Sequence, residues 1–169
     1  TAAFGIPVIE RLDTAAAQVR ALVLVPTREL AIQVAEELGS LKHGRNLRVA
    51  PVYGGQEMGL QLKHLKRGVD IVVGTPGRTL DHLKRGSLDI AGLEYLVLDE
   101  ADEMLNMGFR EELDGILSKV PKERVTWLFS ATMAKGVSRI AQTYQRDPVE
   151  ISVGARNETA ANIEHYCFM

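Results

Sequence analysis

The chain has 169 residues, of which 46% are apolar and 25% charged, with 20 basic side chains against 22 acidic ones. These proportions are those of one ordinary globular domain, or a large piece of a longer protein, with a buried core. They exclude a disordered tail and a polybasic binder of nucleic acid. Cys167 is the only cysteine, which excludes an internal disulfide framework, and the four histidines are not spaced as zinc ligands.

The sequence contains no run of about 18 apolar residues, the length that a membrane-spanning helix requires. Residues 1–7 include neither a cationic leader nor an unbroken apolar block, which argues against a signal peptide. We therefore predict a soluble, cytoplasmic protein that has no membrane partner.

Six short apolar runs predict β-strands. They carry β-branched or aliphatic residues at nearly every position, instead of alternating with polar residues. Such runs are typical of a mainly parallel sheet that is covered on both faces. The predicted strands are residues 21–25, 49–53, 70–73, 95–98, 126–129 and 149–153.

Between the strands, apolar residues recur with helical spacing. Residues 29–42, 109–120 and 133–144 each show one apolar stripe, which is typical of a helix packed against a core. Another helix is predicted to begin at Pro76 after a Thr75 cap and to end at Gly86. The alternation predicts the α/β class, a mainly parallel sheet with helices on both faces.

The pattern fades after residue 153. Residues 154–161 are small and polar, which indicates a linker, and residues 165–169 begin an apolar, strand-like segment. We predict one domain over residues 1–153 and the start of a linker to a second domain over residues 154–169. A frayed terminal strand of the first domain is the alternative for the last residues.

Three carboxylates, Asp99, Glu100 and Asp102, directly follow the predicted strand at 95–98. Ligands of open α/β sheets bind outside the carboxyl ends of the strands, so these side chains face the expected site. A carboxylate there can hold Mg²⁺ through water, and a neighbouring one can orient or deprotonate an attacking water. For Asp102, the alternative is a helix N-cap.

Three other predicted strands lead into turns at the same expected edge. Helix starts offer free N–H groups to a phosphate, and glycine lets a backbone approach closely, so such turns would track a sugar–phosphate chain. The alternative is ordinary capped turns, with a surface pair between Arg28 and Glu29. The turns are formed by Pro26, Thr27 and Arg28, by Gly54 and Gly55, and by Thr75, Pro76, Gly77 and Arg78.

Two hydroxyl residues, Ser130 and Thr132, follow the predicted strand at 126–129. Hydroxyls on a tight turn beside an acidic motif can bond to its carboxylates. Capping of the helix predicted after them is the alternative.

Taken in order, these motifs resemble the first catalytic, RecA-like domain of the DEAD-box RNA helicases. The chain contains the family's PTRELA at 26–31, GG at 54–55, TPGR at 75–78, DEAD at 99–102 and SAT at 130–132. The letters DEAD alone occur by chance in such a chain with a probability on the order of 10⁻³. The resemblance covers residues 1–153 and is closest to bacterial members.

The resemblance implies ATP-dependent remodelling of RNA duplexes or RNA–protein complexes, with ATP and Mg²⁺ as cofactors. Asp99 would position Mg²⁺ through water, and Glu100 would activate the water that attacks the γ-phosphate. Asp102 would contact Ser130 and Thr132 and so couple hydrolysis to RNA handling. The RNA backbone would lie along the residues of the three turns, without selecting a base sequence.

In this family, a Gly-x-Gly-Lys-Thr phosphate loop directly precedes the segment that resembles residues 1–7. Only its last residue, Thr1, is found here, and it is implied as a contact of the nucleotide and of Mg²⁺. The family's second domain, which supplies arginines to the phosphate, is absent too. We therefore expect the 169-residue chain to be inactive by itself.

The family's phosphate-loop strand is an interior strand of this sheet, so we expect the molecule to be longer than these residues. A non-catalytic RNA-binding adaptor fragment that kept the groove is the main alternative function. A double-stranded DNA translocase of the wider superfamily is the other, and Ala101, Asp102 and the TPGR turn argue against it.

Overall fold

The computed structural model of the protein describes residues 1–12 and 18–153. Helices and strands alternate along nearly all of this part of the chain. The residues predicted as a linker and as a strand-like terminus, 154–161 and 165–169, lie outside it. The elements are α1 (Ala2–Arg11), β1 (Ala21–Leu24), α2 (Arg28–Leu41), β2 (Val49–Val52), α3 (Met58–Lys66), β3 (Ile71–Gly74), α4 (Pro76–Lys84), β4 (Tyr95–Leu98), α5 (Ala101–Asn106), α6 (Arg110–Leu117), β5 (Val125–Leu128) and α7 (Lys135–Tyr144).

The five described strands form one parallel sheet in the order β2-β3-β1-β4-β5. The predicted fold class is confirmed, and the first five predicted strands agree with the observed ones to within one residue at each end. Pro51, which has no N–H to donate, lies on the edge strand β2, where a proline is tolerated.

Each face of the sheet supports its own apolar core. Leu22 and Leu24 of β1 point into one core with helices α4 to α7, while Val23 points into the other with α1 and α2. The central strands β1 and β3 are fully buried. Burial on both sides explains why these strands read as continuous apolar runs instead of alternating ones.

Helix α1 was not predicted, because Gly5 and Pro7 both disfavour a helix interior. It is stabilised by tertiary packing of Phe4 and Val8, which are buried. A Cβ atom added to Gly5 would lie 2.7 Å from a methyl carbon of Leu38 on α2. The glycine therefore permits the close approach of the two helices.

The strand predicted at 149–153 is wrong. A strand needs a hydrogen-bonded neighbour, and residues 149–153 pair with no described strand. In the described sheet β5 pairs only with β4, and the side chains of Val149, Ile151 and Val153 are 85–97% exposed. The apolar stripe predicted to begin at Met133 also begins later, since α7 starts at Lys135 and Met133 is exposed.

The sheet core predicts a large difference between two leucine truncations. Leu96 of β4 is fully buried, whereas Leu60 of α3 is 44% exposed. Leu96→Ala leaves a cavity and is expected to lower the free energy of unfolding by about 2–5 kcal/mol. Leu60→Ala should lower it by less than about 1 kcal/mol. Urea unfolding of both variants measures the difference, and equal losses would contradict the assigned core.

Candidate functional site at the carboxyl edge of the sheet

The carboxyl ends of the five described strands lie level at one edge of the sheet. The register places Val52, Gly74, Leu24, Leu98 and Leu128 opposite one another, in that order across the sheet. The turns with predicted RNA contacts follow the adjacent strands β2, β3 and β1, and the acidic and hydroxyl motifs follow the adjacent strands β4 and β5. One edge therefore carries all five motifs, divided into two neighbouring halves.

Asp99 is the first residue after β4 and is partly buried. Its backbone N–H donates to the Leu24 carbonyl at 3.0 Å, which ties it to the end of β1. One carboxylate oxygen accepts the Glu100 N–H at 3.1 Å. Burial raises the pKa of Asp99, while the Glu100 N–H acts in the opposite direction.

Glu100 adopts a left-handed backbone conformation, with φ 51° and ψ 50°. A residue with a Cβ atom rarely takes this conformation, which costs on the order of 1–3 kcal/mol. Its side chain is exposed and neither caps α5 nor accepts a hydrogen bond from the described residues. The strained turn therefore presents a free carboxylate beside Asp99.

Asp102 is joined to the hydroxyl motif after β5. One of its carboxylate oxygens accepts the N–H and the hydroxyl of Thr132, both at 2.9 Å. The Asp102 N–H lies 3.3 Å from the Ser130 hydroxyl oxygen, which itself donates to the Thr132 carbonyl. Partial burial would raise the pKa of Asp102, but the bonds from Thr132 and Ser130 outweigh it and lower that pKa.

These contacts decide between the alternatives for the two motifs. Asp102 does not cap a helix, because Glu100 occupies the N-cap position of α5. Ser130 and Thr132 do not cap α7, whose N-cap is Ala134 without a side-chain bond. We call the bonded set of Asp102, Ser130 and Thr132 the carboxylate–hydroxyl clamp.

Thr1 stands at the N-cap of α1 beside this half of the edge. The ring of Phe4 packs 5.5 Å from that of Phe129, which follows β5. A hydrogen bond from Thr1, with one from Gln33, lowers the pKa of the partly exposed Glu37 on α2. The structure thus bonds Thr1 to Glu37, and its predicted metal contact stays a prediction.

The turn after β1 begins helix α2. The Thr27 hydroxyl accepts the Leu30 N–H at 3.2 Å and caps the helix. Arg28 is half exposed, and its guanidinium lies 3.8 Å from the Glu29 carboxylate and 5.7 Å from the centre of the Tyr53 ring. The capped turn and the Arg28–Glu29 pair both exist, and the guanidinium also packs on an aromatic ring of the next motif.

The turns after β2 and β3 contact each other. Gly55 has a φ of +83°, which favours glycine, and a Cβ atom added to it would lie 3.4 Å from Nη1 of Arg28. Arg78 donates from Nη1 to the Gln56 carbonyl at 3.0 Å. Thr75 stands at the N-cap of α4, but its hydroxyl makes no capping bond, contrary to the prediction. The three turns therefore form one interlocked surface.

Two of the predicted glycines face open space. A Cβ atom added to Gly54 or to Gly77 would meet no protein atom within 4 Å. Neither residue has a positive φ, so the backbone conformation does not require glycine at these positions either. Pro26 and Pro76 are buried and shape the turns from beneath. Packing within the described protein therefore does not explain the glycines at 54 and 77.

Sequence reasoning missed Tyr53 and Gln56, which supply the ring under Arg28 and the carbonyl for Arg78. Both lie within one residue of the GG motif, and no residue-type signal distinguishes them.

Among the described residues, no group of three or more His, Cys, Asp or Glu side chains could hold a metal without other ligands. None of the described helices is long and apolar enough to cross a membrane.

A family model described as DEAD/DEAH box helicase matches residues 1–140 of the chain. The chain belongs to the DEAD/DEAH box helicase family. The resemblance drawn from its five motifs is thereby confirmed.

Helicases of this family are similar to the chain over nearly all of its length. Over 166 residues, 98% of the chain, it is 50% identical to the DEAD-box ATP-dependent RNA helicase CshA of Geobacillus kaustophilus and 46% identical to that of Bacillus subtilis. It covers 36% and 34% of those proteins, so it spans about a third of their length. A crystal structure of a DEAD box protein from the hyperthermophile Methanococcus jannaschii matches with a TM-score of 0.83 and 49% identity. That match covers 86% of this chain and 40% of the other.

The clamp predicts a change in one carboxyl pKa. Thr132→Val removes the hydroxyl donor to Asp102 and should raise its pKa, which carbon NMR of the carboxyl group measures. Because the folded-state pKa is below the unfolded value of about 3.9, the clamp stabilises the protein above that pH. Its contribution is lost as the pH falls through the folded pKa.

The control is Thr143→Val on α7, which removes a hydroxyl that donates to the Arg139 carbonyl at 2.8 Å. It should leave the pKa of Asp102 unchanged. Equal shifts in both variants would contradict the assignment of Thr132 as the donor.

Proposed function

We propose that the chain is the first of two RecA-like domains of an ATP-dependent RNA helicase. In the whole protein, ATP hydrolysis would drive the remodelling of RNA duplexes or RNA–protein complexes. The observation that carries this proposal is the carboxylate–hydroxyl clamp, which joins the DEAD and SAT motifs beside the three interlocked turns. The relatives named as ATP-dependent RNA helicases, each matched over 98% of the chain, support it.

Asp99 and Thr1 would hold Mg²⁺ at the nucleotide. Proteins bind Mg²⁺ through one or two carboxylates, waters and substrate phosphates instead of a complete protein cage, and the carboxylate of Asp99 fits that arrangement. Only one of its oxygens accepts a hydrogen bond from the described residues. Mg²⁺ bound there would neutralise charge on the phosphates.

Glu100 would act on the attacking water. Its exposed carboxylate has no hydrogen-bond partner among the described residues, and the left-handed turn fixes it next to Asp99. It accepts the proton of the water while the water oxygen bonds to the γ-phosphorus and the bond to ADP breaks. Asp102 makes no such contact in this proposal; it couples the DEAD and SAT motifs.

RNA would bind along the three turns through its phosphates and sugars. The donors are local, namely the guanidinium of Arg28 and the amino-terminal N–H groups of α2 and α4, since the net charge of −2 offers no general attraction. Such contacts do not discriminate bases, so we propose sequence-tolerant binding. The open space over Gly54 and Gly77 suits the approach of a nucleic-acid backbone.

The second RecA-like domain of the whole protein would be a further partner of this chain. Because the proposed substrates are RNA and ATP, we also propose that the protein is cytoplasmic. The 169 residues contain no Gly-x-Gly-Lys-Thr sequence, so we propose that they do not turn over ATP by themselves. The experiments below therefore use the full-length protein that contains the chain.

Glu100→Gln should lower RNA-stimulated ATP turnover by at least about 10²-fold, because the amide cannot accept the proton. Binding of Mg²⁺–ATP should be retained, since the substitution changes neither Asp99 nor the clamp. Steady-state hydrolysis and equilibrium nucleotide binding measure the two effects. The matched control is Glu103→Gln, an exposed glutamate in the first turn of α5. Turnover in Glu100→Gln as fast as in the control would overturn the role of Glu100.

Gly77→Ala should weaken RNA binding without harming the fold. The added methyl meets no protein atom and lies in the first turn of α4, where alanine favours the helix by up to about 1 kcal/mol. The control Gly39→Ala on α2 adds an equally unhindered methyl. Thermal unfolding and fluorescence anisotropy with oligouridylate and oligoadenylate measure both properties. Weaker binding to only one of the two RNAs would contradict a backbone groove.

A further inference from the structure

A chain of buried polar side chains lies beneath the turns after β2 and β3. Gln61 of α3 and His82 of α4 are at most 1% exposed. Gln61 donates from Nε2 to the Tyr53 carbonyl at 2.9 Å, and its Oε1 lies 3.3 Å from Nε2 of His82. Nδ1 of His82 lies 2.8 Å from the Ser87 hydroxyl. This network of hydrogen bonds runs from Tyr53, the residue before the GG motif, to helix α4, which begins within the TPGR motif.

The direction of these bonds follows from their acceptors. A carbonyl can only accept, so the amide nitrogen of Gln61 faces Tyr53 and its oxygen faces His82. Nε2 of His82 must then carry the proton. In the neutral ring Nδ1 accepts from the Ser87 hydroxyl, which also lies 3.1 Å from the His82 carbonyl as a second acceptor. Burial lowers the pKa of His82, and the positive charge of Arg78 lowers it further, which favours the neutral ring.

These bonds add an inner link between two turns that are also tied at their bases, where the Thr75 N–H donates to the Val52 carbonyl at 3.0 Å, and by an outer contact. That outer contact is the bond from Arg78 to the Gln56 carbonyl, and both of its residues are partly exposed. The Tyr53 carbonyl that Gln61 holds belongs to the residue whose ring supports Arg28. A displacement of His82 would therefore move the GG turn relative to the TPGR turn and disturb the support of Arg28.

We propose that His82 and Gln61 are positioning residues for the RNA backbone, which set the spacing between the GG and TPGR turns before RNA binds. This inference rests on the proposed function, because it concerns the same RNA surface. A surface that is held in its binding geometry loses less freedom on binding, so breaking the link weakens affinity without removing a contact to RNA.

The test compares variants of the full-length protein with a fluorescein-labelled oligouridylate. His82→Leu removes the donor and leaves Oε1 of Gln61 unpaired, and it should raise the Kd for RNA about tenfold. The half-saturating RNA concentration of the ATPase should rise equally, while the KM for ATP and the turnover at saturating RNA change less than about twofold. His82→Gln places an amide donor near the Nε2 position and should restore most of the affinity.

Other outcomes distinguish a failure of this inference from a failure of the proposed function on which it rests. RNA affinity unchanged in His82→Leu, but weakened in Arg28→Ala, would overturn the positioning role while leaving the RNA surface intact. Equal losses in RNA affinity and in ATP turnover at saturating RNA would overturn the positioning role, because they would show that the network only stabilises the fold. If wild-type protein does not bind the oligouridylate, the proposed function itself fails.

Two further measurements decide the matter if His82→Leu does not fold. Gln61→Met removes the same link from its other side and should also weaken RNA binding about tenfold; wild-type affinity in that variant would overturn the proposal. In the unmodified protein, long-range proton–nitrogen NMR should show the proton of His82 on Nε2. A ring protonated only on Nδ1 would exclude the bond to Gln61.

Discussion

Burial of both faces of a parallel sheet is the constraint on which the rest of this structure depends. The strands pair in register, so their carboxyl ends stop at one level and every connection to a following helix leaves from the same edge. Strand order then assigns neighbours: β1 lies between β3 and β4 and separates the two kinds of motif. The turns of the predicted RNA surface and the acids of the predicted nucleotide site are adjacent for this topological reason.

Each half of the edge is held by a different kind of bond. In the acidic half, the left-handed backbone at Glu100 and the charged bonds from Thr132 to Asp102 fix side chains that are themselves accessible. In the other half, Arg28 and Arg78 are partly occupied by Tyr53 and by the Gln56 carbonyl. The Glu100 carboxylate and one oxygen of Asp99 thus accept no hydrogen bond from the described residues, whereas the arginines also serve to join the turns.

Among the described residues, buried polar side chains lie under the half of the edge that carries the three turns and not under the acidic half. Gln61 and His82 connect the helices behind the turns, where unpaired polar atoms would be costly. In our proposal, these buried bonds hold the predicted RNA surface from the interior, away from competing water.

The sequence by itself determined the parallel α/β class, five strands to within a residue and the family, because doubly buried strands and motif letters are local properties. It did not determine α1, whose Gly5 and Pro7 argue against a helix until Leu38 is placed beside them. It also wrongly predicted a strand at 149–153, since apolar composition cannot supply a pairing partner. The contact between Asp102 and Thr132 was already implied by the family resemblance, and the structure shows it. Only the tertiary structure brought His82 to Gln61, because that contact joins residues 21 positions apart that belong to no shared motif.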